Sequence, residues 1–264
     1  MKKILLILLV VISFSSCNQK ITDIEKLENR NGIYYKLNQE NPYTGKAIAS
    51  YKNGQLFMKK NYIDGKLDGE SFTYYKTGLL RERVNFKNNE YEGNFITYYN
   101  NGLVKLKEHY KSGQLDGTSF SYYENGEIES RKKFKMGKLD GISSSYYKNG
   151  EIRSRVNFIM GQLEGRSSTY HNNRQVKSIK SFKNGKLEGK FSTYNKSGQL
   201  ESKGTFKDGK VEGVVTVFYK TGEVNKKINF ENGKLNGETT LFYENGEVML
   251  KEYYENGEPI NETH

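Results

Sequence analysis

The chain has 264 residues and a formal net charge of +11, with 42 Lys and Arg against 31 Asp and Glu. Hydrophobic residues make up 34% and aromatic residues 13%, with 27 glycines, 2 prolines and no tryptophan. This balance excludes a thick aliphatic core, and the aromatic content argues against plain disorder.

The amino terminus reads as an export signal. Lys2 and Lys3 precede an apolar run from Ile4 to Ile12, then Ser13-Phe14-Ser15-Ser16-Cys17. The basic start, short apolar stretch and small residues before a cleavage point fit a secretory leader. The apolar run is too short for a membrane span of about 20 residues. Cys17 is the only cysteine, which excludes an intramolecular disulfide and a multi-cysteine metal site. The segment resembles a bacterial lipobox, with Phe14 in place of the usual Leu. That resemblance implies cleavage before Cys17 and a diacylglyceryl thioether on it, enough with further acylation to hold the chain on a membrane. No acidic run follows Cys17, so the expected location is the bacterial envelope, at the outer membrane facing the periplasm. Residues 1–16 are expected as signal peptide, 17–32 as a tether, 33–258 as a repeat array and 259–264 as a tail.

From Gly45 to Gly237 the chain repeats every 24 residues without insertion. One glycine column holds Gly45, Gly69, Gly93 and their equivalents to Gly237. A second runs from Gly54 and Gly78 to Gly246, with Arg174 as its exception. A third runs from Gly65 and Gly113 to Gly257, with Asn89 as its exception. Together they take 25 of the 27 glycines, leaving Gly32 and Gly204. Asn precedes many glycines of the second and third columns, and Asn-Gly suits the two positive φ angles of a type I′ hairpin. The expected fold is all-β: an elongated, twisted antiparallel meander of about nine hairpin repeats, an open array.

Turn position sets register, and register sets the faces. A two-residue loop at Thr77-Gly78 pairs Lys76 with Leu79, Tyr75 with Leu80, Phe72 with Arg83 and Gly69 with Phe86. One face then carries Tyr75, Leu80, Phe86 and Leu67, with Phe86 covering the bare backbone of Gly69. The aromatic column from Tyr62 and Phe86 to Tyr254 has no exception in nine positions and reads as a packing spine. The opposite face carries Tyr74, Tyr98, Tyr122 and Tyr146 beside Arg83, Lys107, Arg131 and Arg155. These eight residues are the candidate binding face, because rings beside cations suit anionic or planar ligands. An acidic column at Asp68, Glu92, Asp116, Asp140, Glu164, Glu188 and Glu212 is expected to pair with the cations across strands.

The unit from Gly65 to Leu80, Gly-Lys-Leu-Asp-Gly-Glu-Ser-Phe-Thr-Tyr-Tyr-Lys-Thr-Gly-Leu-Leu, resembles the bacterial MORN-repeat variant. So do 137–152, 185–200 and 233–248, and Pro42-Tyr43-Thr44-Gly45-Lys46 looks like the entry to such an array. The resemblance covers roughly residues 33 to 258. It implies the elongated β-meander, a scaffolding role and an open question of lipid binding. It also brings an antitoxin label of the YwqK type that some relatives carry. Kinase chemistry found beside some such arrays does not transfer, since no kinase domain is present.

Catalytic chemistry is not suggested. His109, His171 and His264 lie far apart in sequence, with no nucleophile–histidine pair and no His/Cys metal spacing. The expectation is a non-enzymatic, cofactor-free, metal-free monomer, held to the membrane by its lipid. It would bind a protein or an anionic envelope component, not nucleic acid. The alternative is an antitoxin or immunity-type protein neutralising a toxin. Arg174, Ile179, His171 and Asn195 break the pattern within adjacent repeats and mark the place to look for something specific.

Overall fold

The computed structural model describes residues 21–260. They form one open sheet of 25 strands and a separate two-stranded hairpin, Leu27–Arg30 with Ile33–Lys36. Each repeat supplies a long strand such as Leu80–Lys87 and a return such as Glu90–Tyr98, paired antiparallel with both neighbours. The sheet does not close on itself, and no α-helix occurs among the described residues.

The two kinds of turn differ. At the third glycine column both central residues have positive φ, as in Asn184 (50°) and Gly185 (80°), so these are the type I′ turns expected. At the second column only the glycine is left-handed: Gly78 has φ 83°. There Tyr75 N donates to Leu79 O at 2.8 Å and Gly78 N to Tyr75 O at 2.9 Å, closing a three-residue loop. The preceding Asn serves through its side chain instead. Asn101 Oδ1 accepts from Leu103 N at 3.0 Å, and Asn101 Nδ2 donates to Glu124 O of the next repeat at 2.9 Å.

The longer loop changes the register beside it. Gly69 faces Phe86 and Phe72 faces Arg83, as expected, but Tyr74 pairs with Leu80 and Thr73 with Glu82. Arg81 is the extra residue of a bulge, so the expected pairs Tyr75–Leu80 and Lys76–Leu79 do not form. Leu80 therefore shares the face of Tyr74 rather than that of Phe86.

The first glycine column has a different cause from the one expected. Tyr62 pairs with Leu67, but Lys59 pairs with Phe72, so the strand carrying Asp68 and Gly69 bulges. Gly69 takes φ 89° there, a region closed to most side chains. The carbonyl freed by the bulge is capped from the partner strand. Asn61 Nδ2 donates to Asp68 O at 2.6 Å, Asn85 Nδ2 to Glu92 O at 2.7 Å, and His109 Nδ1 lies 3.0 Å from Asp116 O. An aromatic ring does cover a bare strand glycine, but at Gly204. A Cβ added there would lie 2.7 Å from Phe191 Cε1, and Phe191 pairs directly with Gly204.

Little of the molecule is fully buried, which matches its composition. The core cluster is Tyr43, Ala47 and Tyr62, with Ile24, Leu27, Tyr34 and Leu67 packed on it. It sits where the amino-terminal residues fold back. Part of the stretch expected as a tether instead forms a strand, Ile21–Asp23, running parallel to Gly45–Ser50 and covering that sheet edge. The reason is apolar: Ile24 and Leu27 find a surface at the first repeat that a solvated linker would leave bare.

Candidate functional site

Register carries the cations and their neighbours across the sheet in one lateral row. From the amino-terminal side it reads Lys59, Phe72, Arg83, Ile96, Lys107, Phe120, Arg131. It continues as Ser144, Arg155, Ser168, Ile179, Ser192, Lys203, Thr216, Lys227, Thr240, Lys251. Directly paired residues share a face. Cations therefore alternate with bulky apolar side chains up to Phe120, and mostly with small hydroxyls after it.

Four of these eight cations are occupied. Arg83 forms an ion pair with Glu70, its Nε 2.8 Å from Oε1, which raises its pKa further. Lys203 lies over the Phe218 ring at 5.4 Å and Lys227 over Phe242 at 5.6 Å. Beneath them Thr216 and Thr240 are buried. Lys251 bonds Glu238 at 3.0 Å. Thr240, Lys251 and Tyr253 all donate to the Glu238 carboxylate, the Thr240 bond being the strongest cause, and hold its pKa down to about 2.

Arg131 and Arg155 have no ion pair or ring contact among the described residues. They frame Ser144 beside a depression of about 500 Å3, lined also by Thr118, Lys133, Ile142, Tyr146, Ile152 and Asn157; the equivalent depression beside Phe72 and Glu70 is smaller, about 370 Å3. A second depression, about 480 Å3, lies alongside and shares Ile142, Arg155 and Asn157; it adds Arg166, Ser168 and Tyr170. No acidic residue lines either one. The position held by Glu70 in one repeat and Glu238 in another is Thr118, Ile142 and Arg166 here, so the neutralising carboxylate is missing.

Of the eight candidate residues, the structure gathers Arg131, Tyr146 and Arg155. Tyr122 stacks on Phe120 with centroids 6.4 Å apart. Lys107 sits between Ile96 and Phe120 in the row. Tyr74 and Tyr98 lend their backbone carbonyls to Tyr51 and Tyr75 hydroxyls at 2.8 and 2.6 Å. The change from Phe120 to Ser144 and Ser168 was the signal for the remaining lining residues, visible only once the row is assembled. Cys17 lies outside the described residues.

The acidic column does not pair with the cations. All of the column but Asp140 reach a turn twenty residues on: Glu92 Oε2 accepts from Ser112 N at 2.7 Å, Glu164 from Asn184 N at 2.8 Å, Glu188 from Asp208 N at 2.9 Å. Type I′ turns present these amides outward, and a carboxylate from the preceding repeat satisfies them.

The irregular residues are structural substitutes. Tyr147 OH donates to Tyr170 O at 2.7 Å, and His171 Nε2 makes the equivalent contact with Tyr194 O at 2.8 Å. Asn195 is too short for the same reach, and Gln199 Nε2 bonds Lys220 O at 2.6 Å, the carbonyl that Asn101 and Asn173 bond in their repeats from the position held here by Ser197. Arg174 takes the left-handed φ of 71° otherwise held by glycine and bonds Glu151 at 2.6 Å, depressing that carboxyl's pKa. Among the described residues no cluster of His, Cys, Asp and Glu is placed to hold a metal ion. No helix among them is long and apolar enough to cross a membrane.

Comparison with known proteins places this geometry in context. The family described as MORN repeat variant matches residues 67–88, 115–136, 139–160, 187–208, 211–232 and 235–256. No curated protein matches the chain. Among solved structures, the Photorhabdus luminescens Tc holotoxin pore is similar over 87% of this chain and 14% of that one. Identity is 13% and the TM-score 0.21, a likeness that carries no weight for fold or function.

Proposed function

The chain belongs to the MORN repeat variant family, and we propose that it is a non-enzymatic binding module held at the bacterial envelope by a lipid on Cys17. The observation that supports binding is the open depression between Arg131 and Arg155. It holds donors and rings but no histidine, no carboxylate and no pair suited to general acid–base work. The lipobox-like Ser15-Ser16-Cys17 supports anchoring. An outer-membrane, periplasm-facing location and a monomeric state complete the reading.

Capture of partners from envelope extract by the immobilised full chain tests binding. Specific retention of an envelope component is expected, and retention no greater than that on a blank matrix would end the proposal. A single stoichiometric toxin-like protein would move the reading to the antitoxin or immunity role. Labelling with a fatty-acid analogue tests the anchor: the wild-type chain should incorporate it and Cys17→Ser should not.

A further inference from the structure

Four exposed apolar side chains belong to the repeats that form the two depressions. Met136 is 58% exposed, Ile142 48%, Ile159 53% and Met160 48%. Ile142 lines both depressions. Ile159 follows Arg155 and Asn157 at alternate positions of one strand, and Met136 and Met160 sit at the adjoining type I′ turns. At the corresponding turns further along the chain stand Asn184, Asp208, Asn232 and Asn256, which suit a left-handed backbone better. Turn chemistry therefore does not explain the methionines.

Arg, Tyr, Met and Ile side by side are the composition of a protein-binding surface rather than of a polyanion track. A glycan needs cations and donors and gains nothing from exposed Met and Ile; a bilayer takes up apolar side chains that project from a surface, whereas Ile142 and Tyr146 line a depression. Arg131 and Arg155 stand two strand spacings apart, about 10 Å, which suits two separate carboxylates. Both guanidiniums are open to bidentate contact, and no acid among the described residues forms an ion pair with either.

We infer that the face spanning Arg131, Ile142, Tyr146 and Arg155 is the docking surface for a protein partner. That partner presents carboxylates interleaved with apolar or aromatic side chains. The inference rests on the binding-module reading and adds the place and the chemistry. Charge complementarity commits it to an acidic partner, and Ile142 and Tyr146 lining the depression between the two cations commit it to a protein.

The test uses the full chain in detergent and a random copolymer of glutamate and tyrosine as probe. Polyglutamate, polygalacturonate and phosphatidylglycerol vesicles serve as comparisons. The copolymer should bind in a salt-sensitive manner and at least about tenfold more tightly than polyglutamate. Arg131→Ser with Arg155→Ser should weaken it about tenfold or more, and Ile142→Ser by several-fold. Lys52→Ser with Lys76→Ser, which removes the same charge from exposed loops, should leave it unchanged. Equal binding of polygalacturonate or vesicles with the same dependence on Arg131 and Arg155 would overturn the protein assignment. No copolymer binding, or an equal loss in the loop variant, would overturn the site. If envelope capture persists in Arg131→Ser with Arg155→Ser, the binding module stands and this location for it falls.

Discussion

Residues 112–170 and 184–256 share one register, yet they treat the same positions in opposite ways. In the later segment Lys203 and Lys227 lie over Phe218 and Phe242 and bury Thr216 and Thr240. Its type I′ turns carry Asn or Asp. In the earlier segment Arg131 and Arg155 are unpartnered, Ser144 lies at the base of an open depression, and the turns carry Ser112, Met136 and Met160 at φ near 50°. One backbone thus supports a self-satisfied surface and an unsatisfied one. A repeat fold makes such a contrast readable, because every position has a control elsewhere in the chain.

The contrast can be broken most severely on its packed side. Gly204→Ala should cost about 1–3 kcal/mol in thermal or denaturant unfolding, since its Cβ meets the Phe191 ring. Adding Phe191→Ser, the residue type at Ser71 and Ser143, should recover most of that loss. A destabilisation that Phe191→Ser leaves untouched would mean that Val215, whose Cγ2 lies 2.9 Å from the same position, sets the requirement rather than the ring.

On the open side, Ser144→Phe should rebuild the arrangement around Phe120 and fill the depression. Copolymer binding should fall about tenfold, equivalent to about 1.4 kcal/mol, with little change in melting temperature. Met136→Asn should stabilise the chain by about 1 kcal/mol by relieving a left-handed backbone, while Asn232→Met should cost a similar amount. If both changes were neutral, the turn contrast would carry no energy.

The smallest effect concerns pH. The Glu238 carboxyl is held at about 2 in the folded chain, below its unfolded range near 4.3. Its contribution is present above the unfolded value and is lost as pH falls through about 2. Glu238→Gln should flatten that part of the acid-unfolding profile. Arg155→Ser should not, because no carboxylate among the described residues pairs with that cation.

Much of this was legible before any coordinates. The glycine columns place the turns of the repeats, and the pairs Gly69–Phe86 and Phe72–Arg83 follow from turn position alone. The bulge at Arg81 was hidden because Asn-Gly serves a two-residue and a three-residue loop equally well. The carboxylate column was misread because its partners are backbone amides, which side-chain patterns do not display. The site was half visible. Tyr146, Arg131 and Arg155 stand in their columns, whereas the depression they share shows only once register sets them around Ser144.

The ties between repeats carry one more consequence. Tyr75 OH reaches Tyr98 O, and Gly113 N reaches Tyr91 O, always one unit away along the chain. Excising residues 189–212 would join Glu188 to Gly213 and restore an equivalent partner for each of these bonds. The molecule's length is therefore quantised, in steps of about 10 Å set by two strand spacings. Recombination between units can lengthen or shorten it without redesigning any joint, so the distance between the capped end and the open depression is a heritable setting.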